Sequence, residues 1–280
     1  MPRVSVLMPV YNTNEEFLKE AIQSILNQTF GDFEFIILDD GSKNDVESVI
    51  KSFNDDRIKF YKNEKNMGIP YTRNRLLDLA NSEYLAYMDS DDTSYPNRLE
   101  IQVNFLDNNQ DVAVVGAGLK ISNDEIYINK YDLKYLDVVQ RCCVHNNVVM
   151  IRKSILDKYN IRYNENYPSA EDYHLWSNII KYSRIVNLPD ILIDYRIHTT
   201  NTTVSKKILT QECDFKVKEE MLDFLTDDDK LKQKLRRILF DNKKVSFLQN
   251  IFSIQNSDHY KYKIVRIFGF KFYFIKKEYK

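Results

Sequence analysis

Hydrophobic and polar positions follow two periods in turn along the first 120 residues. Val4-Ser5-Val6-Leu7-Met8 is a short apolar-rich run of the kind a buried strand leaves, and it stops at Pro9-Val10-Tyr11-Asn12. Glu15 to Leu26 then sets Phe17, Leu18, Ala21, Ile22, Ile25 and Leu26 on one helical face. The unit recurs. Phe33 to Leu38 predicts a second strand, and Val46, Val49, Ile50 and Phe53 a second helix. Arg57 to Tyr61 and Tyr71 to Ala80 form the third pair, and Tyr84 to Met88 the fourth strand. Strands alternating with helices build βαβ units and therefore a mainly parallel sheet with helices on its faces.

Beyond residue 110 the pattern loosens. Asp111 to Gly118, Asn147 to Ile151 and Ile185 to Tyr195 read as extended chain, and Glu171 to Tyr182 as a helix with Leu175, Trp176, Ile179 and Ile180 apolar. From about Ser205 charged helical stretches follow: Lys206 to Leu225, Asp227 to Phe240 and Lys243 to Ile254. The last twenty residues carry seven Lys or Arg against one Glu, with Phe268, Phe270, Phe272 and Phe274 alternating. Their period of two predicts a strand with an aromatic face; the basic-aromatic composition also suits peripheral contact with an anionic membrane. The chain divides into residues 1–205, an α/β domain, and 206–280, a helical and basic-aromatic segment.

Composition narrows the function. Of 280 residues, 40 are Lys or Arg and 41 Asp or Glu, a net charge of -1, which speaks against a nucleic-acid binder working through a broad basic field. Hydrophobic residues make up 43%, enough for a packed core. Cys142 and Cys143 are adjacent and Cys213 stands apart, so neither a disulfide framework nor a CxxC site is available. Without a secretory leader or a 20-residue apolar run, a cytoplasmic location is expected.

Chemistry concentrates where strands end. Ligands of open α/β sheets bind beyond the carboxyl ends of the strands, and three polar clusters fall there: Pro9-Val10-Tyr11-Asn12, Asp39-Asp40-Gly41-Ser42 and Asp89-Ser90-Asp91-Asp92. Asp89 and Asp91, two apart, leave the chain on one side, and two convergent carboxylates suit Mg²⁺ or Mn²⁺ bridging to a phosphate. The bland alternative is a solvated turn capping the helix that starts near Pro96. Asp172 shares a helical face with Trp176 and Ile179, which turns it toward the packed side, where burial raises a carboxylate's basicity. A first-turn acid on the helix dipole with Ser169 as N-cap is the competing account. Neither a GxSxG elbow, a GxxxxGK[ST] loop nor a GxGxxG turn is present.

As a set, Pro9-Val10-Tyr11-Asn12, Asp39-Asp40-Gly41-Ser42, Asn66-Met67-Gly68 with Arg73 and Asn74, the DxD cluster, Glu171-Asp172 before Trp176, and Tyr195-Arg196-Ile197-His198 resemble family 2 glycosyltransferases with the GT-A fold, over roughly Arg3 to Ser205. The resemblance implies a nucleotide-sugar site lined by Pro9, Tyr11, Asn12, Asp39, Asp40, Arg73, Asp89, Asp91 and Glu171. In it Asp39 accepts a hydrogen bond from the base, and Asp89 and Asp91 serve ribose and cation. It further implies a Mn²⁺ or Mg²⁺ ion held by Asp91, Asp89 and His198, and Asp172 as general base. The implied activity is inverting transfer from a nucleoside-diphosphate sugar, a UDP-sugar, to a glycan or lipid-linked glycan hydroxyl in surface polysaccharide or lipopolysaccharide synthesis. Two rivals remain. Asp89-Ser90-Asp91-Asp92-Thr93 also fits the DxDxT of haloacid-dehalogenase-like phosphatases, with Asp89 as nucleophile, and a non-catalytic glycan-binding protein could keep the same fold.

Overall fold

The computed structural model describes residues 1–122, 124–198, 207–240, 252–256, 262–267 and 270–275. Strands β1 (Val4–Val10), β2 (Phe33–Asp39), β3 (Ile58–Lys62) and β4 (Tyr84–Tyr87) run parallel in the order β3-β2-β1-β4. The sheet continues through β8 (Met150–Arg152), β6 (Val112–Ile121), β9 (Arg184–Tyr195) and the two-residue β5 (Thr93–Ser94), with β7 (Ile126–Tyr127) hairpinned onto β6. β8 lies antiparallel to both β4 and β6, so the sheet is mixed in its second half.

Alternation along the central strand sorts its side chains into two cores. Val4, Val6, Met8 and Val10 pack beneath α1 (Glu15–Leu26), α2 (Val46–Lys51) and α4 (Arg98–Asn108), whereas Leu7 faces α3 (Ile69–Leu79) and the opposite layer. That layer also holds α5 (Tyr135–Gln140), α6 (Lys153–Lys158), α7 (Glu171–Ile179), α8 (Lys207–Leu225) and α9 (Asp229–Phe240). Cys213, Val217, Met221, Leu222, Leu235 and Leu239 from the last two helices are buried in the same core as Leu7 and Trp176. Each such side chain taken out of water contributes ~1.5–3 kcal/mol if it is a large aliphatic one. The boundary expected at residue 205 lies outside the described residues, and the helices that follow it share the core of the α/β domain.

Local chemistry sets the element ends. Asn14 caps α1, its Oδ1 accepting from Glu16 N at 2.9 Å and Phe17 N at 3.4 Å, with Glu15 and Glu16 in the first turn. Gly68, at φ 90°, and Pro70 open α3. Ser169 does not cap α7: the N-cap position is Ala170, without a side-chain bond. The helix expected over Lys243 to Ile254 is also corrected. Residues 241–251 lie outside the described ones, but β10 (Phe252–Asn256) pairs antiparallel with β11 (Tyr262–Ile267), which pairs with β12 (Phe270–Ile275). Aromatic and β-branched residues there found strand partners that a single-segment reading cannot see. Phe268 and the aromatic face of the last strand lie outside the described residues and side chains. Among the described residues no helix is long and apolar enough to cross a membrane.

Candidate active site

Register places the loop clusters on one rim. Val10 is level with Asp39 and Asp39 with Lys62, while Met88 N donates to Leu7 O at 3.0 Å, so the chain leaves β1, β2 and β4 along one edge. Hydrogen bonds then sew the loops together. Ser42 N donates to Asp39 Oδ1 (2.9 Å), Asn12 N to Ser42 Oγ (2.8 Å) and Lys43 N to Asn12 Oδ1 (2.8 Å). Thr13 and Ser90 share a bond of 2.6 Å, which ties this group to the aspartate loop. Asn12 itself sits at φ 52° and spends its side chain on the neighbouring loop.

Asp39 and Asp40 are both buried but differ in use. Asp40 takes Asn63 Nδ2 at 2.6 Å on Oδ1, together with Met67 N at 2.9 Å, and Gly68 N at 2.9 Å on Oδ2. It thereby holds the entry to α3. Asp39 Oδ2 accepts no hydrogen bond among the described residues, Lys62 Nζ standing 3.5 Å away. Pro9 is half-buried and Tyr11 is 45% exposed at the same rim.

Across from them lies an acidic floor organised by one arginine. Arg73, buried on α3, donates from Nη1 to Glu171 Oε1 at 2.5 Å, approaches Asp89 Oδ1 at 3.8 Å, and lies over the Tyr163 ring at 5.5 Å. Burial opposes its charge, and Glu171, Tyr163, Asp89 and Asp172 outweigh burial and hold the guanidinium firmly protonated. Burial also pushes Glu171 up to about 7 against the pull of Arg73, with Asp172 adding to the rise. Asp89 is pushed up to about 6 by burial, then by Asp91 and Asp172, again against Arg73. Asp172 is raised by burial, opposed by Arg73 and by the Tyr173 N–H that its Oδ1 accepts at 2.6 Å.

On the far side Asp91 Oδ2 meets His198 Nε2 at 2.8 Å. The β5–β9 pairing brings the 195–198 segment there, and Arg196 lies over the Phe17 ring at 4.0 Å. Among the described residues no three His, Cys, Asp or Glu side chains converge as a ready metal cage. Asp89 is shared with Arg73, leaving Asp91 and His198 as the joined pair of the three expected ligands.

The structure adds supports that sequence reading passed over. Asp92, fully buried and well above its ordinary range through burial and its neighbours Asp89 and Asp91, accepts from Asn147 Nδ2 at 2.5 Å and from Arg196 N at 2.9 Å. Arg98 lies 0% exposed beneath the same loop, donating to Tyr87 O at 2.6 Å and Val149 O at 3.3 Å. Burial lowers it to about 9 against Asp89 and Asp92. Tyr163, whose hydroxyl donates to Asn146 Oδ1 at 3.2 Å, underlies Arg73. For Asp92 the surplus carboxylate in the motif was a usable signal. A buried arginine in a helix that otherwise reads as amphipathic leaves none.

A mixed sheet with loops gathered over the ends of its parallel strands and α7 closing the acidic side has the architecture of GT-A glycosyltransferases. S. aureus TarS 1-349 in complex with UDP-GlcNAc superposes with a TM-score of 0.70 at 21% identity, over 88% of this chain and 73% of that one. The sequence profile described as Glycosyl transferase family 2 matches residues 5–160, and the chain belongs to that family. An uncharacterised glycosyltransferase of Methanocaldococcus jannaschii is 35% identical over 219 residues, 73% of this chain and 74% of its own length. The Escherichia coli UDP-Glc:alpha-D-GlcNAc-diphosphoundecaprenol beta-1,3-glucosyltransferase WfgD is 28% identical over 209 residues, 72% of this chain and 80% of its own. The protein is a glycosyltransferase.

Proposed function

We propose that the enzyme transfers a sugar from a nucleoside-diphosphate donor, UDP-linked, to a hydroxyl of a lipid-linked glycan, with inversion at the anomeric carbon. The observation that carries this reading is the meeting of Asp89, Glu171 and Asp172 around Arg73 at the rim where β1, β2 and β4 end. The names of the TarS complex and of WfgD support the donor class and the acceptor class.

Asp39 Oδ2, buried without a hydrogen bond and 3.5 Å from Lys62 Nζ, suits the imide N–H of a uracil ring, with Pro9 and Tyr11 as the walls of the base pocket. Asp40 and Asn12 act one step back, shaping that pocket through the loops they tie. Asp91 and His198 would hold a divalent cation, Mn²⁺ or Mg²⁺, through an oxygen and a nitrogen. Such an ion, when bound, offsets the charge that gathers on the departing nucleoside diphosphate.

The acceptor oxygen attacks the anomeric carbon while its proton passes to Asp172, and the bond from that carbon to the phosphate oxygen breaks with its electron pair leaving on the diphosphate. Raised basicity suits Asp172 to take the proton, although Arg73 opposes part of that rise. The phosphatase reading has weaker support, since Asp89 follows the fourth strand and the cation beside it is Arg73.

Thermal shift with UDP-sugars, with and without Mn²⁺, tests the donor; a hundredfold excess over Kd should stabilise the protein by about 2.7 kcal/mol. Asp172→Asn should keep that shift while transfer falls about 10²–10⁴-fold. Unchanged transfer in this variant, or a retained sugar configuration in the product, would overturn the mechanism.

A further inference from the structure

Helix α7 carries Glu171 and Asp172 in its first turn, so whatever fixes its start fixes both carboxylates. The usual device is missing: Ala170 at the N-cap has no side-chain oxygen to offer the first N–H groups, and Ser169 Oγ is buried without a hydrogen-bond partner. Another contact does the fixing. Tyr167, 5% exposed, stacks on His174 with ring centroids 4.5 Å apart and planes 18° from parallel. These two residues bracket the helix start, one before the cap and one a turn inside, in the manner of a staple.

The staple is held from a later helix in the chain. The Tyr167 hydroxyl donates to Oε1 of Glu220 on α8, and Oε2 of the same carboxylate lies 3.5 Å from His174 Nε2. Helix α8 is itself anchored: Tyr135 Oη donates to Met221 O at 2.9 Å, and Cys213, Val217 and Met221 are buried in the core that α5 and α7 share. One carboxylate thus joins the cap-less start of α7 to a helix fixed by its own packing.

We propose that Glu220, acting through Tyr167 and His174, is a positioning residue for Glu171 and Asp172, which makes α8 part of the transferase site. The proposal rests on the reading of Asp172 as the base. Half of the Glu220 side chain is exposed, and burial disfavours the charged form of His174, so their contact adds little to global stability. A purely structural role therefore predicts small effects everywhere. A positioning role predicts a selective loss of turnover, because a displacement of about 1 Å at a reacting group costs up to ~10²-fold.

The test uses the full chain and the variants Glu220→Ala, Glu220→Gln, Tyr167→Phe and the double Glu220→Ala/Tyr167→Phe. Glu220→Ala and Tyr167→Phe should each lower kcat about tenfold with donor KM within about twofold, and the double variant should lose no more than either single one. Glu220→Gln keeps an acceptor for the Tyr167 hydroxyl and should stay within about threefold of the parent. Amide hydrogen exchange over residues 167–176 should quicken in Glu220→Ala. Unchanged turnover in both single variants, losses that multiply, or a loss confined to KM would overturn the proposal. Should the parent transfer no sugar, the functional reading fails. Exchange then decides the clamp by itself: quickened exchange upholds it and unchanged exchange refutes it.

Discussion

On the β1–β2 side of the rim, Asp40 is met by Asn63 Nδ2 and the N–H groups of Met67 and Gly68, all within thirty residues of it in the chain. On the α7 side, Glu171 and Asp89 draw on one cation, Arg73, 98 positions from Glu171. Neutral donors built into a loop fix a carboxylate's place whatever its neighbours do. A shared guanidinium leaves three carboxylates competing for one charge, and two of them sit at about 6 and about 7. The first arrangement suits a pocket wall and the second a place where a proton changes hands.

Removing the shared cation should break the contrast most strongly. Arg73→Met leaves Glu171 buried opposite an apolar side chain, and stranding one partner of a buried pair costs ~3–5 kcal/mol. Urea unfolding should read this directly, and the double variant Arg73→Met/Glu171→Leu should recover most of the loss. A single variant as stable as the parent would mean that the carboxylates do not depend on Arg73.

The next effect is a pH dependence with opposite signs for stability and rate. Glu171 has a folded value of about 7 against 4.5 for the free side chain, so its contribution to stability is full below about 4.5 and lost as pH rises through about 7. The shift corresponds to a loss of order 3 kcal/mol at most between pH 4.5 and 8. With Asp172 as the proposed base, kcat/KM should rise with pH while stability falls. In Glu171→Gln the stability curve should flatten over this range; an unaltered slope in thermal unfolding would assign the titration elsewhere.

On the β1–β2 side the two adjacent aspartates should separate. Asp40→Asn puts an amide NH₂ against N–H donors and should cost ~1–3 kcal/mol. Asp39→Asn can keep the Ser42 bond with its carbonyl oxygen, so denaturation should shift by under about 1 kcal/mol while UDP binding weakens. Calorimetry and unfolding on the two variants compare a wall with its support.

What could be read from sequence follows the same division. Strand and helix periods, and a turn such as Asp39-Asp40-Gly41-Ser42, depend on residues close in the chain, and the first eighty residues were legible for that reason. The loop partners of Asp92 lie 55 and 104 positions away, at Asn147 and Arg196, and no local pattern announces them. Arg98 is satisfied by carbonyls of Tyr87 and Val149, which the sheet order brings side by side. Ser169 looked like a cap because its residue type is right; the backbone instead gives that position to Ala170. The strand at Phe252 depends on a partner that follows it in the chain.

A last pair of substitutions tests whether the β1–β2 rim is as rigid as its hydrogen bonds suggest. Gly41 has φ 72°, and a Cβ there would stand 2.6 Å from Lys65 C and 2.8 Å from Asn66 N, main-chain atoms that cannot swing aside. Gly41→Ala should therefore cost ~1–3 kcal/mol and displace the 65–68 segment that supplies two of the donors of Asp40. Gly31 is the internal control: it has no positive φ and nothing within 4 Å, so Gly31→Ala should be neutral or stabilise by ~0.4–1 kcal/mol. If the rim is rigid, Gly41→Ala weakens UDP binding as well as lowering the unfolding midpoint. If UDP binding stays at the parental level while stability drops, the loop yields locally, and the base pocket is formed by Asp39 and its strand without help from the α3 entry.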